Sequence, residues 1–141
     1  MTFRALPLLA LFLPLPAYAQ EMVPLRDEVA GGAPMSYIGT RCAAFYASSA
    51  AYLGDQISAE MQGQVDDIVA LLMMTAVNAM EQEGQPRDAA RDAATAEVVT
   101  LSEAYHARFE ASAAAGQNAF ADDPLYLADN ADCTSVMTAE E

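Results

Sequence analysis

The stretch Ser36–Leu53, which reads SYIGTRCAAFYASSAAYL, decides the fold. Residues spaced three or four apart share one face of an α-helix. Apolar or small side chains recur here at that spacing, at Ile38, Cys42, Phe45, Ser49 and Tyr52. The stretch therefore predicts a helix with one buried face, and it places Cys42 on that face.

Three more helices are predicted downstream, separated by short breaks. Ser58 is the expected N-cap of the second helix. Its segment Ile68–Val77 is apolar nearly all round, so we expect this helix to be the most buried. Gly84 and Pro86 separate it from an Ala-rich third helix that runs to about residue 115. Asp123-Pro124 is typical of the start of a short fourth helix.

The short connections between these helices predict how they pack. Helices joined by a few residues are usually antiparallel neighbours. We therefore expect an all-α fold, a small antiparallel helical bundle of three long helices and one short C-terminal helix. The bundle would span residues 35–138, and residues 139–141 would be a frayed C-terminus.

The chain begins with a segment typical of a secretory signal peptide. Arg4 supplies a positive n-region, an apolar run follows, and Ala17-Tyr18-Ala19 is a small-x-small cleavage site. Cleavage is expected after Ala19, so residues 1–19 would be removed and no membrane span would remain. Residues 20–34 contain two prolines and two glycines and predict a flexible leader. The predicted localisation is periplasmic or secreted.

The chain is strongly acidic. It has 20 Asp and Glu residues against six Arg, no Lys, and a formal charge of −14, which removal of the signal segment would lower to −15. Such a chain repels nucleic acid and anionic membranes, stays soluble and attracts cationic partners. Asp122 and Asp123 are interpreted as charges at a helix N-terminus, and Asp129 and Asp132 as solvated carboxylates.

Cys42 and Cys133 are the two cysteines. An even count in an exported chain predicts one disulfide, which would tie the first predicted helix to the last. Two free thiols or a redox pair are the alternatives. Redox pairs usually occupy a Cys-x-x-Cys motif, which this sequence lacks.

His106 is the only histidine. A zinc site with two or three histidines is therefore excluded, and no Gly-x-Ser-x-Gly motif accompanies a nucleophile. Glu103, His106 and Glu110 share a helical face at positions i, i+3 and i+7. They are interpreted either as a solvated face or as half of a metal site completed across a dimer.

The six residues around this histidine, Ala104-Tyr105-His106-Ala107-Arg108-Phe109, resemble the haem-ligand helix of periplasmic cytochrome-b four-helix bundles. In that family a histidine here and a methionine near the mature N-terminus ligate haem. The resemblance implies Met22 or Met35 as the second ligand. The family's histidine lies on the last helix, whereas a further helix is predicted here.

Together these features predict a small exported protein that acts by protein–protein contact or envelope housekeeping and not as an enzyme. No cofactor is predicted, and the expected partner is an unknown protein of the cell envelope. One alternative is a haem or metal binder that uses His106 with Glu103 or a methionine. Another is suggested by a likeness of type to small acid-stress chaperones of the periplasm, which are also short, helical and tied by one disulfide. Protonation of many carboxylates near pH 4 would remove the self-repulsion that separates such a chain from its clients.

Overall fold

The computed structural model describes residues 22–138. It contains five α-helices: α1 (Leu25–Ala30), α2 (Met35–Leu53), α3 (Ala59–Gln82), α4 (Arg87–Ala114) and α5 (Pro124–Thr138). The predicted signal segment with its cleavage site, the first two leader residues and the predicted frayed C-terminus lie outside the described residues. Within residues 22–138 there is no strand, so the predicted all-α bundle is confirmed.

The predicted helix boundaries agree closely with the structure because local signals set them. The Ser58 side chain accepts a hydrogen bond from the Met61 N–H at 3.2 Å and caps α3. Gly84 has a positive φ of 97° just after α3, where a side chain would be strained. The Asp123 carboxylate accepts from the Leu125 N–H at 2.9 Å and caps α5. No helix of the described residues is long and apolar enough to cross a membrane.

Helix α2 forms the centre of the bundle, and this corrects the expectation that α3 is the most buried helix. Twelve residues of α2 are buried, against four of α3. The reason is that small residues along α2 let neighbours approach on several sides. At Gly39 an added Cβ would lie 3.0 Å from both the Ala76 Cβ and the Leu72 carbonyl oxygen. Helix α2 packs against α3 and α4, with further contacts to α1 and α5.

The segment predicted as a flexible leader contains a helix over part of its length. Helix α1 covers six residues, and its Leu25 is only 1% exposed. A helix this short is marginal by itself, so contacts with the rest of the chain must hold it. Those contacts run mainly to α5, the helix farthest from it in sequence. Residues 25–30 are therefore helical and packed against the bundle, whereas the sequence predicted a flexible leader there.

Candidate functional site

The disulfide predicted from the cysteine count is present. Cys42 on α2 and Cys133 on α5 are bonded, with 5.4 Å between their Cα atoms, and both are fully buried. Neither sulfur is available as a metal ligand or as a redox-active thiol in this state. The bond closes a loop of 91 residues and fixes α5 to the centre of the bundle.

The residues predicted as weak metal or haem ligands lie on the surface. His106 Nδ1 is 3.7 Å from Glu110 Oε1, and these side chains are 48% and 68% exposed. Glu103 on the same helix is also exposed. Among residues 22–138, no three His, Cys, Asp or Glu side chains lie close enough to hold a metal ion. Here Glu103, His106 and Glu110 form a solvent-facing stripe on α4.

The methionines implied by the haem resemblance lie in two different grooves. Met22 lines a groove beside Tyr37 and Leu101, and Met35 lines another beside Leu71. His106 lines neither of these grooves, and its ring packs against Tyr52 with 5.7 Å between centroids. The structure does not bring the three implied ligands to one place.

A buried ion pair, which the sequence did not predict, lies at the centre of the bundle. Arg41 is 1% exposed and Asp129 is fully buried, which corrects the interpretation of Asp129 as solvated. Arg41 donates to Asp129 Oδ2 from Nη2 at 2.7 Å and from Nε at 3.1 Å. Tyr105 accepts from Arg41 Nε at 2.6 Å and donates its own hydroxyl proton to Asp129 Oδ2. These three side chains join α2, α4 and α5.

The surroundings of this cluster keep the Arg41 guanidinium charged and the Tyr105 hydroxyl protonated. Burial alone would lower the pKa of Arg41, but its interactions with Tyr105 and Asp129 outweigh burial and raise the pKa. Burial raises the pKa of Tyr105, and the neighbouring Arg41 charge only partly offsets that shift. At neutral pH the guanidinium is therefore charged and the phenol retains its proton. Within the described chain no buried side-chain nitrogen or oxygen lacks a hydrogen-bond partner.

The same ion pair anchors the N-terminal segment. The Leu25 N–H donates to Asp129 Oδ1 at 2.8 Å, and the Val23 carbonyl accepts from Arg41 Nη2 at 2.9 Å. Nearer the surface, Arg26 pairs with Asp132 at 3.1 Å. Carboxylates of α5 thus hold α1 in place. The only sequence signal that Asp129 is buried was its spacing from Cys133. Asp129 lies one helical turn before this buried cysteine and hence on the same face of the helix.

A second ion pair supports the start of α5. Arg108 donates to the two carboxylate oxygens of Asp123 at 3.0 and 2.7 Å. Partial burial alone would raise the pKa of Asp123, but the Arg108 and Leu125 hydrogen bonds outweigh it and lower the pKa. The predicted helix-terminal role of Asp123 is confirmed, and its pairing with Arg108 adds a tie between α4 and α5.

The feature best suited to binding is an open groove of about 530 Å³ formed by α1, α2, α3 and α5, named here the α1–α5 groove. Three large apolar side chains on its walls are exposed: Val29 by 45%, Met35 by 54% and Leu71 by 38%. Buried Leu72 and Ile38 form part of its floor. Contiguous exposed apolar surface of this kind marks binding sites on soluble proteins.

Comparison of the chain with protein-family models, with curated proteins and with solved structures finds no match.

Proposed function

We propose that this chain is an exported, non-catalytic binding protein, and that its α1–α5 groove accepts an apolar segment of a partner protein. The observation that carries the proposal is the exposure of Val29, Met35 and Leu71 around a single groove. Exposed apolar side chains are common on soluble proteins when scattered, but a cluster that lines a concavity is not.

The groove walls are tied together, which favours binding without a large conformational cost. Helix α5 is bonded covalently to α2, and α1 is held by the carboxylates of Asp129 and Asp132. A preorganised groove loses less entropy when a ligand orders it, and more of the interaction free energy appears as affinity.

The charge of the chain defines the class of partner. With 20 acidic side chains and six basic ones, the protein attracts positively charged groups and repels negative ones. The proposed ligand is therefore a basic amphipathic segment, whose apolar face enters the α1–α5 groove and whose Lys or Arg side chains remain outside it.

Two synthetic helical peptides test the proposal. Both carry the same leucine face, and the polar face carries only Lys in one and only Glu in the other. We expect the Lys peptide to bind the purified protein, the Glu peptide to bind at least about tenfold more weakly, and Met35→Glu to weaken binding of the Lys peptide. Leu127→Glu is the matched control, because Leu127 on α5 is 47% exposed and lies outside the groove. Equal binding of the Lys peptide by both variants would contradict the proposal.

An acid-stress chaperone is a second candidate, and the anchoring of α1 favours it. Helix α1 forms one wall of the groove and is held there by polar contacts to two side chains of α5, Asp129 and Asp132. Release of α1 in acid would expose additional apolar surface to a client. This candidate predicts that the protein suppresses aggregation of a model client at about pH 3 and not at neutral pH. Equal suppression, or none, at the two pH values would exclude it.

A further inference from the structure

The chain around the start of α1 is bound to the bundle through its main chain. The Val23 carbonyl accepts from Arg41 Nη2 at 2.9 Å, and the Leu25 N–H donates to Asp129 Oδ1 at 2.8 Å. Pro24 lies between them in an extended conformation, with φ −51° and ψ 143°, and has no N–H to satisfy. One ion pair therefore satisfies the main-chain groups on both sides of an extended proline, which is how peptide-binding sites engage extended segments.

Two side chains of the same segment add contacts that depend on residue type. Leu25 is 1% exposed and is part of the hydrophobic core. Arg26 donates to Asp132 Oδ2 from its N–H at 3.0 Å and from Nε at 3.1 Å, and its Nη2 donates to the Ala128 carbonyl at 3.3 Å. The surface of α2 and α5 that receives residues 23–26 is named here the segment site, and its polar residues are Arg41, Ala128, Asp129 and Asp132.

The segment site is held together by contacts that do not involve the segment. Arg41 and the Tyr105 hydroxyl both donate to Asp129 Oδ2, so this oxygen joins α2, α4 and α5. The Cys42–Cys133 disulfide joins α2 to α5 beside the ion pair. Among the described residues, the other oxygen, Asp129 Oδ1, accepts only from the Leu25 N–H. Release of the segment would therefore leave the ion pair intact and would free one carboxylate oxygen and one guanidinium N–H.

The way in which α1 is attached permits its release. Helix α1 has six residues, and a helix this short is not stable by itself. Residues 31–34 connect it to α2, and Gly32 in this connection has a φ of 91°, a conformation that glycine adopts without strain. Open space borders α1 on both sides, because it supplies Val29 to the α1–α5 groove and Glu28 to a second groove of about 830 Å³. Removal of α1 would join these two grooves.

We propose that the segment site is a peptide-binding site, which residues 23–26 occupy as a tethered ligand and which accepts a similar segment of a partner protein in their place. The partner segment is extended and carries an apolar residue, Pro, Leu and a basic residue in that order. These are the features of Val23–Arg26 that the site contacts. The site lies beneath the N-terminal segment and not in the α1–α5 groove, so it is independent of the proposed function.

The tether sets the concentration at which a partner competes. A ligand that is joined to its site by a short flexible connection has an effective concentration in the millimolar range. A free peptide with the sequence of the segment should therefore displace it at about millimolar concentration. A partner segment that binds more tightly displaces it at a proportionally lower concentration. Any change that weakens the tethered segment should make the site easier for a free peptide to enter.

Fluorescence anisotropy with a labelled synthetic peptide that copies residues 22–30 tests the proposal. We expect the full chain with Leu25→Ser to bind this peptide with a Kd at least about fivefold lower than that of the wild-type chain, because its own segment competes less well. Val29→Ser is the matched control on the same helix, since Val29 is 45% exposed and faces the α1–α5 groove. It should leave the Kd within about twofold of the wild-type value. Equal Kd values for the wild-type and Leu25→Ser chains, or no binding by either, would overturn the proposal.

Hydrogen exchange of the wild-type chain follows α1 directly and needs no variant of the protein. The amides of α1 should exchange faster than those of α2 and α5, because the segment opens without global unfolding. Several millimolar of the unlabelled peptide should accelerate exchange in α1 further, since the peptide holds the site while α1 is released. The same peptide with the Leu25→Ser change should not. Exchange of α1 only at the rate of α5, or equal effects of the two peptides, would show that the segment is a fixed part of the fold.

Discussion

The strongest prediction concerns the replacement of Asp129 by alanine. This carboxylate is fully buried and accepts hydrogen bonds from three groups. They are the Arg41 guanidinium at 2.7 and 3.1 Å, the Leu25 N–H at 2.8 Å, and the Tyr105 hydroxyl. Asp129→Ala removes every one of these acceptors at once and leaves a charged guanidinium buried without its counter-ion.

The expected cost follows from that orphaned charge. Removing one partner of a buried ion pair destabilises a protein by about 3–5 kcal/mol. The unsatisfied Leu25 N–H carries its own desolvation penalty of about 1–3 kcal/mol, so the total loss should be about 4 kcal/mol or more. The free energy of unfolding of a domain of this size is about 5–15 kcal/mol, so the substitution would remove a large fraction of it.

Urea unfolding at neutral pH, with the disulfide intact, measures this loss. With a slope of roughly 2 kcal/mol per molar urea, the midpoint should fall by about 2 M. Asp132→Ala is the matched control, because Asp132 lies on the same helix and its pair with Arg26 is exposed, which limits the cost to about 1 kcal/mol. The reasoning is refuted if Asp129→Ala costs no more than Asp132→Ala.

A double-mutant cycle separates the ion pair from the rest of the cluster. Arg41→Met combined with Asp129→Ala should cost less than the sum of the two single changes, by at least about 2 kcal/mol. Additive losses would mean that the two side chains stabilise the fold independently. In that case the interaction between Arg41 and Asp129 would not itself stabilise the fold.

Three further predictions follow from the packing, the disulfide and the Asp123 pair. Gly39→Ala should destabilise the protein, because overpacking against α3 costs about 1–3 kcal/mol and the gain in helix propensity is only about 1 kcal/mol. Gly63→Ala, which lies on open surface, should stabilise it. Urea unfolding measures the free energy of unfolding of both variants and distinguishes the two outcomes. Replacing both cysteines by serine should lower the free energy of unfolding by about 4–5 kcal/mol, the chain-entropy value for the 91-residue loop. Calorimetry should show a lower Tm, and an unchanged Tm would contradict a stabilising disulfide. Because Arg108 lowers the pKa of Asp123 in the folded state, the pair stabilises the fold above the unfolded pKa, and this contribution is lost as the pH falls through the folded pKa. The stability difference between wild type and Asp123→Asn should thus be largest at neutral pH and shrink on acidification, and a difference that grows in acid would reverse the argument.

The helices could be predicted from the sequence because their signals are local. Ser58, Gly84 and Asp123 act within one turn of their own position, and the apolar periodicity of Ser36–Leu53 needs no knowledge of its partner. The disulfide was predictable for a different reason, since only two cysteines were available to pair.

The buried cluster could not be predicted because its signals are not local. Arg41 and Asp129 are 88 residues apart, and charged side chains are normally solvated, so no pattern along the chain identifies them as a pair. The segment with α1 is held by hydrogen bonds to the same two side chains, so its local proline- and glycine-flanked sequence predicted only a flexible leader. Periodicity likewise showed that Ile68–Val77 is apolar, but not which of its sides would be covered.

The positions of the ion pair and the disulfide along the chain have a consequence for how the covalent bond forms. Arg41 immediately precedes Cys42, and Asp129 lies one turn before Cys133. In the reduced chain, docking of α5 through this ion pair would therefore raise the effective concentration of one thiol near the other. The two thiols would then already be close together when an oxidant reacts with them. The rate of thiol oxidation would therefore measure the fraction of reduced chains in which α5 is docked.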